Sequence, residues 1–241
     1  MLFRSKLNIK ESKQFNLDKL DRKQKLFTLN NEPRGVRLYF YKYLIDNNLL
    51  DNFDASFFFK FQHKKFITWD NVEGGGDTLS PLSNVFPVLT FDNENNNDYY
   101  KKIKIMNFEK SINSYMDVII ETSIFDREFF GFSEKSFKSI ISKKPFIIYG
   151  SHRNYKGLKE LGFKTYDDLI DVDKFENGFE EWQVKERMYY FFECVKKLAE
   201  KDTNWFKTYY SDKKEIIEYN YQHLIKLLDN EYHNFYKLIA S

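Results

Sequence analysis

Residues 115–150, YMDVIIETSIFDREFFGFSEKSFKSIISKKPFIIYG, constrain the fold more than any other stretch, because they read as strand, loop, helix and strand. Tyr115–Ile120 is short, mostly apolar and rich in β-branched residues, the pattern of a strand covered on both faces. Residues 145–149, opened by Pro145 and closed by Gly150, repeat that pattern. Between them Ser133 is a good N-cap, followed by Glu134, Lys135, Ser136, Phe137 and Lys138.

Two of those residues are awkwardly placed. The first turn of a helix carries unpaired N–H groups and the positive end of the dipole, so a cation there is unfavourable by about 0.3–1 kcal/mol. Lys135 lies in that turn and Lys138 follows within reach. An anion bound at the helix tip turns this liability into a site. The plain alternative has Ser133 only capping, Glu134 and Lys138 forming an exposed i,i+4 pair, and Lys135 extending into water.

The rest of the chain alternates in the same way. Lys25–Asn30 reads as a strand, Asn31, Glu32, Pro33 and Arg34 as a turn, and Val36, Tyr39, Phe40, Tyr43 and Leu44 recur at helical spacing. Residues 55–61, 65–69 and 85–91 read as further strands, 71–84 as a loop holding Gly74, Gly75 and Gly76, 92–98 as an Asn-rich turn, and 99–114 as a helix. Tyr155–Leu161 is a short helix stopped by Gly162, and Phe163–Tyr166 is expected to be a last strand. From Phe175 the spacing is helical almost to the end, with breaks near Asp202–Thr203 and Ser211. The expected fold class is therefore α/β, a Rossmann-like, mostly parallel sheet flanked by helices with a C-terminal helical segment. The expected organisation is a polar arm or short helix over residues 1–24, a Rossmann-like body over 25–170, and helices over 171–241 packed on it.

Composition excludes little and directs little. A net charge of +2 on 241 residues builds no field that advertises nucleic acid or membrane as partner. With 26 Phe and 17 Tyr the chain is rich in aromatics, yet abundant Asn, Lys and Ile make AT-rich coding a plainer cause than a stacking surface. Cys194 is the only cysteine, which rules out an internal disulfide or a cysteine-rich metal site, and its place in YYFFECVKKL reads as a helix face turned to the core. MLFRSKLNIKES lacks an apolar leader core and no run approaches the ~18 apolar residues of a membrane span, so a cytoplasmic setting is expected (a host's cytoplasm if the protein is viral).

The string FSEKSFKSIISKKPFIIYGSHRNYKGLKELGFKTYDDL resembles the nucleotide-sugar-binding end of GT-B glycosyltransferases, most of all small fucosyltransferase-like proteins of phages and bacteria. Their pattern runs F-T-E-K-T-x-K-P-I, then P-F-I-x-x-G, then L-x-x-L-G-F-K-T-F. KLFTLNNEPRGVRLYFYKYLIDNNLLDN is similar to the family's opening strand, its Asn and Pro-Arg turn and the following helix. IIEYNYQHL is similar to its closing helix. The likeness spans about residues 25–228, with nothing matched over roughly 53–112. It departs from the pattern at Ser133 for Thr, at Ser139 for Pro, and at Val36-Arg37 for His-Arg.

The resemblance implies half of a GT-B architecture and a nucleoside-diphosphate sugar as donor. Glu134 would accept hydrogen bonds from the ribose and Lys135 would meet the diphosphate, with Lys138 and Ser133 beside them. Ligands of open α/β sheets gather beyond the carboxyl ends of strands, where Asn31, Arg34, Arg37 and Glu121 are also expected. Arginine suits phosphate through its planar fork. Arg34 also reads as a solvated turn residue. Glu121 ends a buried strand, so it is either satisfied by neighbouring backbone or faces the cleft.

Metal is not expected. Asp171-Val172-Asp173 spells D-x-D but lies past the last expected strand, in a stretch like the family's acidic linker, and 92–98 lacks the Gly and Glu of a calcium loop. No catalytic base is assigned: Asp70, Glu73 and His63 flank the glycine loop, while His152, His223 and His233 read as structural or surface residues. The expected function is metal-independent, inverting transfer of a sugar to an acceptor left open between a glycan, a protein and modified DNA. The alternative is a non-catalytic binding or assembly module derived from such a domain. Two-domain relatives usually need more chain than this and take their base from an N-terminal domain, which favours the alternative. A nucleic-acid-binding role has only composition behind it.

Overall fold

A computed structural model describes residues 17, 21–30, 35–57, 111–121, 132–180 and 183–229. Four strands form an all-parallel sheet: β1 (Gln24–Asn30), β2 (Phe53–Phe57), β3 (Ser114–Ile120) and β4 (Phe146–Tyr149), in spatial order β2-β1-β3-β4. Helix α1 (Gly35–Asp46) and a 3-10 turn at Leu50–Asn52 lead from β1 to β2, and α2 (Glu134–Ile141) leads from β3 to β4. After β4 come α3 (Asn154–Glu160), α4 (Val172–Asn177), α5 (Val184–Ala199), α6 (Thr203–Asp212) and α7 (Lys214–Asp229). The expected α/β, Rossmann-like parallel sheet with C-terminal helices is the observed architecture. Among the described residues no helix is long and apolar enough to cross a membrane.

Side-chain alternation along β3 divides the two layers that cover the sheet. Leu26 lies beside Met116 in the register, and on that face Phe40 of α1 packs edge-on to Phe53 and against Phe192 of α5. Tyr115 points to the other face, where it meets Phe206 and Tyr210 of α6. There α7 also packs on α2. Every residue of β3 is buried, as its apolar run requires.

The segment after Gly162 differs from expectation. Phe163–Tyr166 forms no strand, although Phe163 and Tyr166 are both buried. The Asn220 amide of α7 takes the place of a neighbouring strand: its Oδ1 accepts from Lys164 N–H and its Nδ2 donates to Lys164 C=O, both at 2.8 Å. The outer edge of β4 is met instead by Tyr155, whose hydroxyl oxygen accepts from Ile148 N–H at 2.8 Å. Packing and a side-chain amide thus satisfy a segment whose pattern alone reads as β. The expected strands at 65–69 and 85–91, the glycine loop, the Asn-rich turn, the helix at 99–110 and most of the arm lie outside the described residues.

Near the chain start Arg22 is buried and binds carbonyls of Ile112 (2.5 Å) and Ser114 (2.9 Å), with Tyr210 stacked beneath its guanidinium. The segment before β1 is thereby fastened to the start of β3 and to α6. Arg187 of α5 does the same at the opposite edge. It donates to the carbonyls of Phe175 (3.0 Å), Gly150 (2.9 Å) and Ser151 (3.1 Å), so the turn after β4 is held by the C-terminal helices. Burial depresses the Arg187 pKa from its ordinary value, and the three carbonyls supply the acceptors that a buried guanidinium needs.

Candidate functional site at the carboxyl edge of the sheet

The strand order places a topological switch between β1 and β3. The chain leaves β1 for one edge of the sheet through α1, and leaves β3 for the other through α2, on the opposite face. The chain thus leaves the carboxyl ends of β1 and β3 in opposite directions, and a crevice between such ends is the usual ligand position in open parallel sheets. Arg37 of α1 reaches this point: it is buried, and its Nη2 donates to Ile120 C=O at 3.2 Å. Glu121 follows directly and is also buried.

Ser133 caps α2 as its sequence requires, accepting from Lys135 N–H at 3.2 Å. Glu121 turns its carboxylate to the same helix tip. Oε1 accepts from Ser133 N–H at 3.1 Å and from Ser136 Oγ at 2.6 Å. Of the two readings of Glu121, satisfaction by the neighbouring chain is the observed one. A negative charge at the tip matches the dipole, and here the protein provides it.

Lys135 and Lys138 do not extend into water; both are buried. They run along the inner side of α2 into a cavity of about 20 Å³ between α2, β1 and β3. Phe27, Leu29, Ser111, Asp117 and Ser139 share its wall, and it has room for about one water molecule. The exposed-face reading of these two lysines is overturned, and the reason is tertiary: α2 lays that side of its first turns on the sheet.

Beneath the lysines lies a polar network that strand periodicity hides. Asp117 sits mid-strand in β3, where Ser139 Oγ donates to its Oδ2 at 2.5 Å. Lys144 forms an ion pair with its Oδ1. The Lys144 ammonium also donates to Ser111 C=O (2.6 Å), Ser111 Oγ (3.0 Å) and Ser114 Oγ (3.0 Å). Burial pulls its pKa from 10.5 down to about 8 against the opposing pull of Asp117. Ser139, which stands where the resembling family has Pro, thus supplies a hydroxyl that proline lacks. A charge in the middle of YMDVII was the available signal for this network, because a buried carboxylate must find partners.

The structure brings Arg37, Glu121, Ser133 and the Lys135 backbone N–H to one edge, while the Lys135 and Lys138 side chains line the cavity under α2. Asn31, Arg34 and the Glu134 side chain lie outside the described residues, as do His63, Asp70, Glu73 and His233. Asp171 caps α4 through Lys174 N–H at 3.0 Å, and Asp173 accepts from Asn177 Nδ2 at 2.8 Å, so each half of the D-x-D string has a local structural partner. Among the described residues no group of three or more His, Cys, Asp or Glu side chains is arranged to hold a metal. His223 lies within 2.7 Å of Leu161 C=O through Nε2, and His152 Nδ1 lies 3.5 Å from Glu176 C=O. Cys194 is half-buried, packed against the core. No protein-family model, curated protein or solved structure matches this chain.

Proposed function

We propose that this protein is a glycosyltransferase-like protein that binds a nucleoside-diphosphate sugar at the carboxyl edge of its sheet. It transfers the sugar without a metal and with inversion, in the cytoplasm of the producing cell or of a host. The observation that supports this reading is convergence: cationic Arg37 of α1 binds Ile120 C=O at the β1–β3 switch point, and the tip of α2, from the opposite face, meets Glu121 beside it with Lys135 in its first turn. Negative charge grows on the leaving diphosphate during sugar transfer, and positioned cations with helix-tip N–H groups stabilise it. Glu134, next to Lys135, is assigned to the ribose by resemblance. The acceptor class is a glycan, a protein or modified DNA.

A specific observation favours a second reading. The Glu121 carboxylate already occupies Ser133 N–H and the Ser136 hydroxyl at the tip where a diphosphate would dock. A module that kept the domain for binding or assembly and lost the transfer reaction has no need to open that contact.

Thermal-shift measurement against UDP-, GDP- and CMP-sugars tests the donor binding on which the first reading depends. A ligand at 100 times its Kd stabilises by about 2.7 kcal/mol. On the first reading one of these donors raises Tm, and Lys135→Met, which keeps the buried stem and removes the ammonium, abolishes the rise. Absence of any shift across the panel overturns it in favour of the module.

A further inference from the structure

We infer that Asn30 contacts the ligand, its amide forming the polar wall of the switch-point crevice on the α1 side and pairing with a sugar hydroxyl. This rests on the nucleotide-sugar reading and adds a residue which that reading does not use. Asn30 is the last residue of β1 and is fully buried. The β1–β3 register, with Phe27 beside Asp117, carries it to the level of Ile120, whose carbonyl Arg37 holds.

Its Nδ2 donates to Thr28 Oγ1 at 3.0 Å, and among the described residues no group donates to Oδ1. Turning the amide over only exchanges the atom that is left: the Thr28 hydroxyl then donates to Oδ1 and the NH₂ group lacks an acceptor. A half-satisfied amide with no exposure costs stability that an apolar side chain of the same size would not. Packing therefore has no use for this group, and its position at the switch point supplies one.

The ligand chemistry follows from the amide. A hydroxyl both donates and accepts, so it pairs with whichever amide atom is left, whereas a phosphate oxygen only accepts and pairs with the NH₂ group alone. Cationic Arg37 and Lys135 suit the diphosphate, and Asn30 suits the ribose or the transferred sugar.

The test uses Thr28→Val/Asn30→Leu, which removes both hydrogen-bond partners together and strands neither, with Thr28→Val alone as control. Calorimetric titration with UDP, GDP, UDP-glucose and GDP-mannose is compared with the unliganded Tm. Expected is a double variant whose Tm stays within about 4 °C of wild type, with Kd raised roughly tenfold for the probe that wild type binds. Thr28→Val keeps wild-type affinity. Loss with the free diphosphate as well as the sugar nucleotide assigns the hydroxyl to ribose; loss with the sugar nucleotide alone assigns it to the transferred sugar. Unchanged affinity in the double variant overturns the inference while leaving the nucleotide-sugar reading standing. A larger fall in Tm overturns it too, by showing that the amide serves the fold. If wild type binds none of the four probes, the parent reading fails and takes the inference with it.

Discussion

Glu121 Oε1 lies 2.6 Å from the Ser136 hydroxyl and 3.1 Å from the Ser133 amide, so the end of β3 caps the start of α2. Glu121→Ala leaves one buried and one half-buried donor without their acceptor and is expected to cost about 2–3 kcal/mol in urea unfolding. Glu121→Gln keeps an acceptor oxygen and loses the charge–dipole attraction, about 0.3–1 kcal/mol. The same Gln variant reports on function. A diphosphate at this tip is repelled by the carboxylate, so the first reading expects Glu121→Gln to bind the donor more tightly than wild type. Weaker binding would place the carboxylate on the side of the ligand instead.

The Asp117–Lys144 pair gives a second test. Removing one partner leaves the other buried and uncompensated, so Asp117→Ala is expected to cost about 3–5 kcal/mol. Asp117→Ala/Lys144→Met removes both charges and should recover most of that loss. A double variant no more stable than Asp117→Ala would mean that the pair is not coupled as its geometry requires.

Stability should also depend on pH through Lys144. Its pKa is about 8 in the folded chain and 10.5 as the reference for the unfolded one. Between these values the unfolded state holds more protons, so stability rises with pH, with a slope of at most about 1.4 kcal/mol per unit. Below pH 8 the contribution is absent. Above about pH 10 buried tyrosines work in the opposite direction: burial pushes Tyr149 up to about 12, so the unfolded chain ionises first. Urea midpoints from pH 8 to 9.5 should therefore climb in wild type more steeply than in Lys144→Met. Parallel slopes would remove Lys144 as the cause.

Gly162 ends α3 at φ +84°, and a Cβ built there would fall 2.7 Å from His223 Nε2, itself within hydrogen-bond distance of Leu161 C=O. Gly162→Ala combines left-handed strain with that clash and should cost about 1–3 kcal/mol. His223→Ala relieves the clash but not the strain, so the double variant should cost less than the sum of the singles. Strict additivity would separate the two positions.

Local patterns carried the layout of the described chain. The apolar runs at 25–30 and 115–120, the Ser133 cap, the Gly162 stop and the helix breaks near 202 and 211 all mark features of the structure within a few residues. They are readable because strand alternation, capping and left-handed backbone are decided within one turn or one strand. Phe163–Tyr166 misled for the same reason: its pattern is local, while the Asn220 amide that satisfies its backbone comes from a distant helix.

The candidate site was legible only as a list of residues near strand ends. Their exposure and partners were not, since a lysine in a helix's first turn looks the same in sequence whether that face meets water or a sheet. The sequence by itself determined which segments become strands and helices, because each segment's periodicity and caps act on its own backbone. Tertiary structure alone decided that Lys135 and Lys138 are buried, that Glu121 serves the tip of α2, and that Arg22 and Arg187 clamp opposite ends of the sheet. Those outcomes depend on desolvating charges between different elements, from 12 to more than 90 residues apart, and only assembly of the layers brings their partners within hydrogen-bonding distance.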